Sequence, residues 1–278
     1  MTISKNILNK IVEILYRRQL RDESTGGFTS LTSGPTGSGK TSQLFYEAKM
    51  FMNLYPKEII FFRDSMLSAS NFNRIGKNWK IFAEVGCDLK FRNLNTGGSM
   101  NVKYKIFNDF NELIDKDTGL GWAKPGFLNV IYFKNDYRWI DLLIHLRRVV
   151  GWQSVFIDEI EDIIPLNPSK RSGEDRNMRN EKNIEFSNNV KKLRRGLVNL
   201  ICDTQSEDEI DWRFKRNLNF NVYLRGSRVS SNTRIKQAAV DKLSIGECFI
   251  DMENRIYGKS YFSSFPPRRP VIEVDIEE

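Results

Sequence analysis

The chain contains few of the side chains that most often bind metals or form cross-links. Among its 278 residues there is one histidine, His145, and there are three cysteines, which are far apart and form no C-x-x-C pair. These counts argue against a structural zinc site and a disulfide framework, and the cysteine usage suits a reducing interior. Because His145 lies in a predicted helix at residues 137–150, we expect it on a helix face and not in catalysis. Cysteine or histidine nucleophiles and metal-dependent hydrolysis are therefore poorly supported.

Long apolar runs are also missing. No stretch approaches the roughly 18 apolar residues that a membrane-spanning helix requires. Charged residues interrupt residues 1–20, so we do not expect this segment to be a signal peptide, and its apolar residues recur at helical spacing. The pattern predicts an amphipathic helix within an N-terminal extension at residues 1–25. A cytoplasmic location is the corresponding expectation, in the host cytoplasm for a viral protein.

The composition is that of a globular protein with a modest excess of positive charge. Hydrophobic residues make up 40% and charged residues 28%, and the formal net charge is +8. This length allows one large domain or two small ones. The positive charge favours an anionic partner such as nucleic acid but does not identify one.

One segment, Gly34-Pro35-Thr36-Gly37-Ser38-Gly39-Lys40-Thr41, matches the phosphate-binding P-loop pattern G-x-x-x-x-G-K-T. Its glycines allow the tight turn that points backbone N–H groups at phosphate oxygens. We expect Lys40 to contact the β- and γ-phosphates of ATP, and Thr41 to ligate Mg²⁺. Ser42 completes the nucleotide-binding set and begins a predicted helix, whose N-terminus favours a bound anion. The alternative is a glycine- and serine-rich loop that matches the pattern by chance.

Two later strands end in residues that suit ATP hydrolysis. An apolar run at residues 154–157 is followed by Asp158 and Glu159, which we expect to hold the Mg²⁺ shell and to deprotonate the attacking water. The next strand ends near Thr204 and Gln205, and Gln205 is expected to sense the γ-phosphate or the water. The alternatives are an acidic loop at the first position and a helix cap by Thr204 at the second.

The remaining pattern predicts an α/β fold with a mostly parallel central sheet flanked by helices. Strands are predicted at 28–33, 58–63, 127–133, 154–157, 197–202 and 220–224, and helices at 42–55, 79–85, 137–150, 183–195, 207–216 and 238–243. A β-hairpin insertion is expected at 88–107, a basic loop at 165–182 and an antiparallel C-terminal hairpin from strands at 247–252 and 255–262. Residues 65–78 are predicted to be irregular. No long linker interrupts the chain, so we expect residues 1–278 to form a single ATPase domain.

The order of these motifs resembles the FtsK/HerA superfamily of DNA-pumping ATPases. The resemblance is carried by the P-loop, by Phe156-Ile157-Asp158-Glu159, by Cys202-Asp203-Thr204-Gln205 and by the segment 211–225, and it covers residues 28–265. In that family a Thr-Gln pair ends a core strand and is followed by a helix and an arginine-rich strand. Within it, the chain resembles viral genome-packaging ATPases and the Zot-like proteins of filamentous phages. The hydroxyl-rich first strand and the insertion at 88–107 depart from the usual core.

The resemblance implies a RecA-type P-loop core that works as a homo-oligomeric ring, often a hexamer. In such a ring an arginine from the neighbouring subunit completes each site. Position in the sequence makes Arg234 the first candidate for this arginine, followed by Arg228 and Arg225. The alternative for each arginine is a solvated surface charge.

A basic segment follows the two acidic residues. Residues 165–195 contain nine lysines and arginines against four acidic residues. We expect a loop there to contact the phosphate backbone of DNA without reading its sequence. The candidate contacts are Lys170, Arg171, Arg176 and Arg179. The alternative is a solvated loop and helix face.

These features predict an ATP- and Mg²⁺-dependent motor that translocates double-stranded DNA, in genome packaging or DNA transfer. A capsid or membrane assembly would be a further partner. One alternative is a Zot-like assembly or secretion ATPase, which a membrane segment would favour. A P-loop kinase is another, although Glu159 and Gln205 serve water attack and argue against it. A nucleotide-dependent switch that barely hydrolyses ATP also remains open.

Overall fold

The computed structural model describes residues 26–65, 78–166, 176–229, 233–252, 256–262 and 272–277. The strands are β1 (Thr29–Ser33), β2 (Ile59–Arg63), β3 (Trp79–Glu84), β4 (Asp88–Asn93), β5 (Ser99–Met100), β6 (Lys105–Phe107), β7 (Leu128–Tyr132), β8 (Gln153–Ile157), β9 (Val198–Thr204), β10 (Phe220–Leu224), β11 (Glu247–Met252), β12 (Ile256–Tyr261) and β13 (Ile272–Glu277). The α-helices are α1 (Lys40–Leu54), α2 (Phe110–Leu113), α3 (Arg138–Leu146), α4 (Arg176–Arg195), α5 (Trp212–Lys215) and α6 (Gln237–Val240).

Ten strands form one large sheet, in the order β12-β11-β10-β1-β9-β8-β2-β7-β3-β6. From β10 to β6 all neighbouring strands run parallel, whereas β11 and β12 add an antiparallel hairpin at the other edge. The predicted fold class, a mostly parallel sheet with flanking helices and an antiparallel C-terminal hairpin, is therefore confirmed.

Both faces of the parallel sheet are covered, which explains the continuous apolar runs of strands such as β2 and β8. One core lies between the sheet and helices α3, α4 and α5, where Trp139, Phe186 and Phe214 are fully buried. The other lies beneath α1, where Phe51 contacts Phe156 edge-on with ring centroids 5.5 Å apart. The two cores hold the central strands in place, and with them the edge where those strands end.

A second, three-stranded antiparallel sheet has the order β13-β4-β5. The β4–β5 pair matches part of the predicted hairpin at 88–107, but β6 joins the large sheet instead. The register places Glu273 opposite Arg92 and Asp275 opposite Lys90, so charges of opposite sign meet across the two strands. The sequence analysis did not predict strand β13. Its acidic and apolar residues alternate, but the strand that it pairs with, β4, is distant in the sequence.

Three predictions of local structure are wrong. The predicted helix at 207–216 is instead a 3₁₀ helix at Glu207–Glu209 followed by the separate helix α5, which Asp211 caps. Residues 79–85 were predicted to be helical but form strand β3, because the short apolar run fits either structure and the pairing of β3 with β7 and β6 decides. The predicted basic loop at 165–182 is helical from Arg176 onward. Helix α4 is mostly polar and has one buried face containing Phe186, Val190 and Leu193, which explains why its first two turns resemble a loop in the sequence.

Several predictions fall on residues of which no structure is described. They are the N-terminal helical extension at 1–25, most of the irregular segment at 65–78, and the basic residues Lys170 and Arg171. Within the part of the chain that is described, no helix is both long and apolar enough to cross a membrane. His145 lies on α3 as predicted, with its Nε2 atom 2.8 Å from the carbonyl oxygen of Ile114.

The packing of β13 against β4 generates a stability prediction. Val274 is 1% exposed and belongs to the core beneath α1, so Val274→Ala removes two buried methyl groups. At roughly 0.8 kcal/mol for each buried group plus a small cavity, the free energy of unfolding should fall by about 2 kcal/mol. Urea unfolding of the variant measures this loss. Asp275→Ala, on the exposed face of the same strand, is the control and should change the value by less than about 0.5 kcal/mol. Equal stability of the two variants would mean that β13 does not pack against the core.

Candidate nucleotide-binding and hydrolysis site

Four adjacent parallel strands, β1, β9, β8 and β2, end at the same edge of the large sheet. The P-loop follows β1, and Asp158 and Glu159 follow β8. Strand β9 ends with Asp203 and Thr204, directly before Gln205. Residues separated by more than a hundred positions in the sequence therefore meet at one place, where open α/β sheets commonly bind ligands.

The P-loop has the geometry of an anion-binding turn. Gly37 and Gly39 have φ angles of 81° and 100°, which side chains with a Cβ rarely adopt, and helix α1 begins directly afterwards at Lys40. The Lys40 side chain is only 8% exposed, and its Nζ atom lies 3.5 Å from the carbonyl oxygen of Pro35. The ammonium group thus folds back over the loop, next to the helix N-terminus at which phosphate groups bind.

Thr41 and Asp158, the predicted metal ligands, face each other. The Thr41 hydroxyl donates to Asp158 Oδ1 at 3.4 Å, and the Ser65 hydroxyl donates to Asp158 Oδ2 at 2.5 Å. Within the described residues, no cluster of three or more histidine, cysteine or acidic side chains is arranged to hold a metal ion. A hydroxyl and a single carboxylate fit Mg²⁺, which commonly takes one or two protein oxygens and completes its shell with phosphate and water.

A chain of side-chain hydrogen bonds connects the P-loop to Glu159 through Gln205. The Gln205 amide nitrogen donates to Glu159 Oε1 at 2.7 Å, and the Gln205 amide oxygen accepts from the Thr36 hydroxyl at 3.2 Å. The structure therefore brings together the residues that the sequence analysis assigned to water activation and to sensing. A cavity of about 510 Å³ lies beside these hydrogen-bonded side chains, and its lining includes Gly34, Pro35, Gln205 and Arg228.

Thr204 does not cap a helix as the sequence allowed. It is the last residue of β9, and Ser206 caps the following short 3₁₀ helix by accepting from the backbone N–H of Asp208. The Thr204 hydroxyl instead donates to the carbonyl oxygen of Ser206 at 3.0 Å. The strand continues two residues beyond its predicted end, so the cap moves two residues along the chain.

Two further carboxyl groups lie in the site. Asp203 belongs to the Cys202–Gln205 motif, but the sequence analysis assigned no role to it or to Glu161. Asp203 is fully buried, and burial together with the charge of Asp158 raises its pKa well above the usual value. Glu161 is 6% exposed, burial raises its pKa, and its Oε1 atom accepts from the backbone N–H of Gln205 at 2.8 Å. Glu161 thus positions the Gln205 backbone. The signal available in the sequence was an acidic residue within or beside each strand-terminal motif, Asp203 at the end of β9 and Glu161 after Asp158 and Glu159.

The predicted basic residues have different surroundings. Arg179 lies on α4 with 8% of its surface exposed, and its guanidinium donates to the carbonyl oxygen of Asp162 at 3.4 Å. Arg234 and Arg225 are exposed, and exposed Arg228 pairs with Asp208 at 3.2 Å. No ion pair to Arg234 occurs among the described residues. Strand β10, which pairs with β1, ends at Leu224, and Arg225, Arg228 and Arg234 follow it in the sequence.

No protein-family model matches the chain, and no curated protein matches it significantly. Solved structures of the genome-packaging NTPase B204 from Sulfolobus turreted icosahedral virus 2 share its fold. The sulfate complex is 12% identical, with a TM-score of 0.50 over 85% of this chain and 97% of that chain. The complex with AMPPCP is 11% identical, with a TM-score of 0.50 over 85% of this chain and 98% of that chain.

The N-terminal domain of zonular occludens toxin from Neisseria meningitidis is also similar, at 14% identity over 91% of this chain and 94% of that chain. Its TM-score of 0.31 is too low to support a structural inference. The predicted resemblance is therefore confirmed at the level of the fold: the chain has the P-loop NTPase fold that B204, a viral genome-packaging NTPase, also has.

Proposed function

We propose that the chain hydrolyses ATP and uses the energy to translocate double-stranded DNA as a ring-shaped homo-oligomer. The observation that carries the proposal is the hydrogen-bond chain from Thr36 through Gln205 to Glu159, beside the P-loop and the Thr41–Asp158 pair. Kinases and simple binding proteins do not need a second carboxylate held by an amide next to the P-loop. An enzyme that activates water does.

Each residue has a role in this proposal. The backbone amides of Gly34 to Thr41 and the Lys40 ammonium bind the phosphates. Helix α1 begins at Lys40, so its N-terminus faces the bound phosphates. Thr41 and Asp158 would hold Mg²⁺, which when bound neutralises charge between the β- and γ-phosphates. Glu159 takes a proton from the attacking water, and Gln205 orients Glu159 through its amide. Ser42 lies in the first turn of the helix and belongs to the phosphate-binding set.

The DNA partner rests on the basic segment and on the packaging function of B204, whose fold the chain shares. We propose Lys170, Arg171 and Arg176 as phosphate contacts. Arg179 is left out of this set, because its side chain is buried and already donates to the Asp162 carbonyl. Contacts of lysine and arginine with phosphates give affinity without sequence preference.

The first prediction concerns nucleotide binding. Lys40→Ala should weaken ATP binding by roughly 10- to 100-fold, because a charge-assisted hydrogen bond contributes about 1.5–3 kcal/mol. Isothermal titration with ATP and Mg²⁺ measures the change. Lys49→Ala removes an exposed lysine from the same helix and serves as the control. If both variants bind ATP as the unchanged protein does, the P-loop assignment is wrong.

The experiment that tests the function is ATP turnover with and without duplex DNA over a series of salt concentrations. Duplexes of unrelated sequence should stimulate turnover equally, and Glu159→Gln should bind ATP yet turn over roughly 10²–10⁴-fold more slowly. Replacing Lys170, Arg171 and Arg176 with glutamine should make the negative slope of log affinity against log salt concentration less steep, by up to about 3. The control replaces three exposed lysines elsewhere, Lys57, Lys103 and Lys116.

Two outcomes would contradict this function, and a third would contradict the proposed DNA contacts. Turnover that duplex DNA does not change excludes a DNA motor. ATP binding with negligible turnover in every condition indicates a nucleotide-dependent switch. Equal changes of the salt slope in the two triple variants would mean that net charge, and not the basic segment, attracts the DNA.

The ring generates a separate prediction about Arg234, which is exposed. We propose that Arg234 enters the site of the neighbouring subunit, where an arginine supplied in trans contributes roughly 10³–10⁵ in rate. Arg234→Ala should bind ATP normally and hydrolyse poorly. Mixing it with Lys40→Ala should restore activity, because mixed rings pair an intact P-loop with an intact arginine. Arg148→Ala, at another exposed arginine, is the control. Rings that form in the mixture without restored activity would exclude Arg234 and direct the test to Arg228 and Arg225.

A further inference from the structure

Glu159 has an unusual backbone conformation. Its φ and ψ angles are 56° and 68°, in the left-handed region, and Leu197 is the only other non-glycine residue with positive φ among the described residues. This conformation costs a side chain with a Cβ roughly 1–2 kcal/mol. Contacts around the residue must therefore hold it.

Arg63, the last residue of β2, holds the carbonyl side of this turn. Its Nη1 atom donates to the carbonyl oxygen of Asp158 and, at 3.3 Å, to that of Glu159. Its Nη2 atom donates to Asp136 at 2.8 Å and to Asp162 at 3.0 Å. The guanidinium group is thus fixed between two carboxylates, and its remaining edge faces the two peptide groups.

Asp203 holds the other side. Its Oδ1 atom accepts from the backbone N–H of Glu159 at 2.7 Å, and the residue is fully buried at the end of β9. Arg63 on β2 and Asp203 on β9 flank the end of β8 from its two neighbouring strands. Together they bind the N–H and C=O groups of Glu159 and the carbonyl group before it. We call this pair the Glu159 clamp.

We propose that Arg63 and Asp203 are positioning residues that hold the Glu159 backbone so that its carboxylate reaches Gln205 and the attacking water. The proposal rests on the proposed function of Glu159. Neither residue needs to touch ATP: Arg63 is 6% exposed and its Nη1 and Nη2 atoms donate to protein oxygens, so it is not the arginine that completes the site. A displaced base loses rate steeply, since a misplacement of about 1 Å can cost roughly 10²-fold.

The test compares variants that remove a clamp contact with variants that keep it. Arg63→Met keeps the unbranched apolar stem of the side chain and loses both hydrogen bonds to carbonyl oxygens. Asp203→Leu keeps the branched shape of the side chain and loses the acceptor, whereas Asp203→Asn keeps an oxygen that can accept from the Glu159 N–H. Asp136→Asn is the matched control for Arg63, because it weakens an ion pair of the guanidinium and leaves both carbonyl contacts in place.

We expect Arg63→Met and Asp203→Leu to lower kcat by at least tenfold while the KM for ATP changes by less than about threefold. Asp203→Asn and Asp136→Asn should retain most of the turnover. In the Glu159→Gln background, Arg63→Met and Asp203→Leu should cause little further loss, because a clamp that acts through Glu159 has nothing left to position. Binding of ATP by each variant shows that it is folded.

The failures can be told apart. If Glu159→Gln turns over normally, the role proposed for Glu159 is wrong and the clamp falls with it. If Glu159→Gln is inactive but Arg63→Met and Asp203→Leu keep their kcat, only the clamp is overturned. A full additional loss in the Glu159→Gln background, or an Asp203→Asn variant as slow as Asp203→Leu, would also overturn it, since Asp203 would then act through its charge.

One variant keeps the test decisive if Arg63→Met does not fold. Arg63→Lys retains a positive charge for Asp136 and Asp162 but lacks the planar fork that reaches both carbonyl oxygens. It should lower kcat as Arg63→Met does. An Arg63→Lys variant with unchanged kcat would overturn the proposal.

Discussion

Four carboxyl groups converge at one edge of the central sheet, and the rest of the site depends on how the chain accommodates them. Asp158, Glu159, Glu161 and Asp203 follow or end two neighbouring strands, and burial raises the pKa of Glu161 and of Asp203. Like charges in a poorly solvated place repel each other. The backbone N–H groups of Glu159 and Gln205 donate to Asp203 and Glu161, respectively. Arg63 donates to the carbonyl oxygens of Asp158 and Glu159 beside them.

This arrangement separates two kinds of polar residue. Glu161 and Asp203 point inward and hold backbone groups, whereas Glu159 and Gln205 hold each other by their side chains. Gln205 is exposed, so its side chain remains able to exchange partners when a nucleotide binds. In the proposed function, this arrangement would let the Gln205 amide respond to the γ-phosphate while the Glu159 backbone keeps its geometry.

The sequence was sufficient to predict a strand where a chemical motif follows it or an apolar run forms it. The P-loop pattern identified β1 although the strand contains four hydroxyl residues, and the apolar runs of β2, β7 and β8 predicted parallel strands that the structure contains. It was insufficient where distant partners decide. Trp79–Glu84 became a strand through pairing, β13 formed against β4, and the bonds from Arg63 and Asp203 to Glu159 join residues 96 and 44 positions apart. No local pattern encodes such contacts.

The fold and the chemistry of the site differ in how strictly they depend on the identity of individual residues. A core needs apolar side chains of about the right size, and many sequences meet this condition. The fold can therefore be shared with B204 at 11–12% identity. The site needs particular oxygen and nitrogen atoms at hydrogen-bond distance, and one changed residue removes a contact. Function consequently has to be inferred from the residues of this chain, from Lys40 to Gln205, and the shared fold says only where in the molecule those residues should meet.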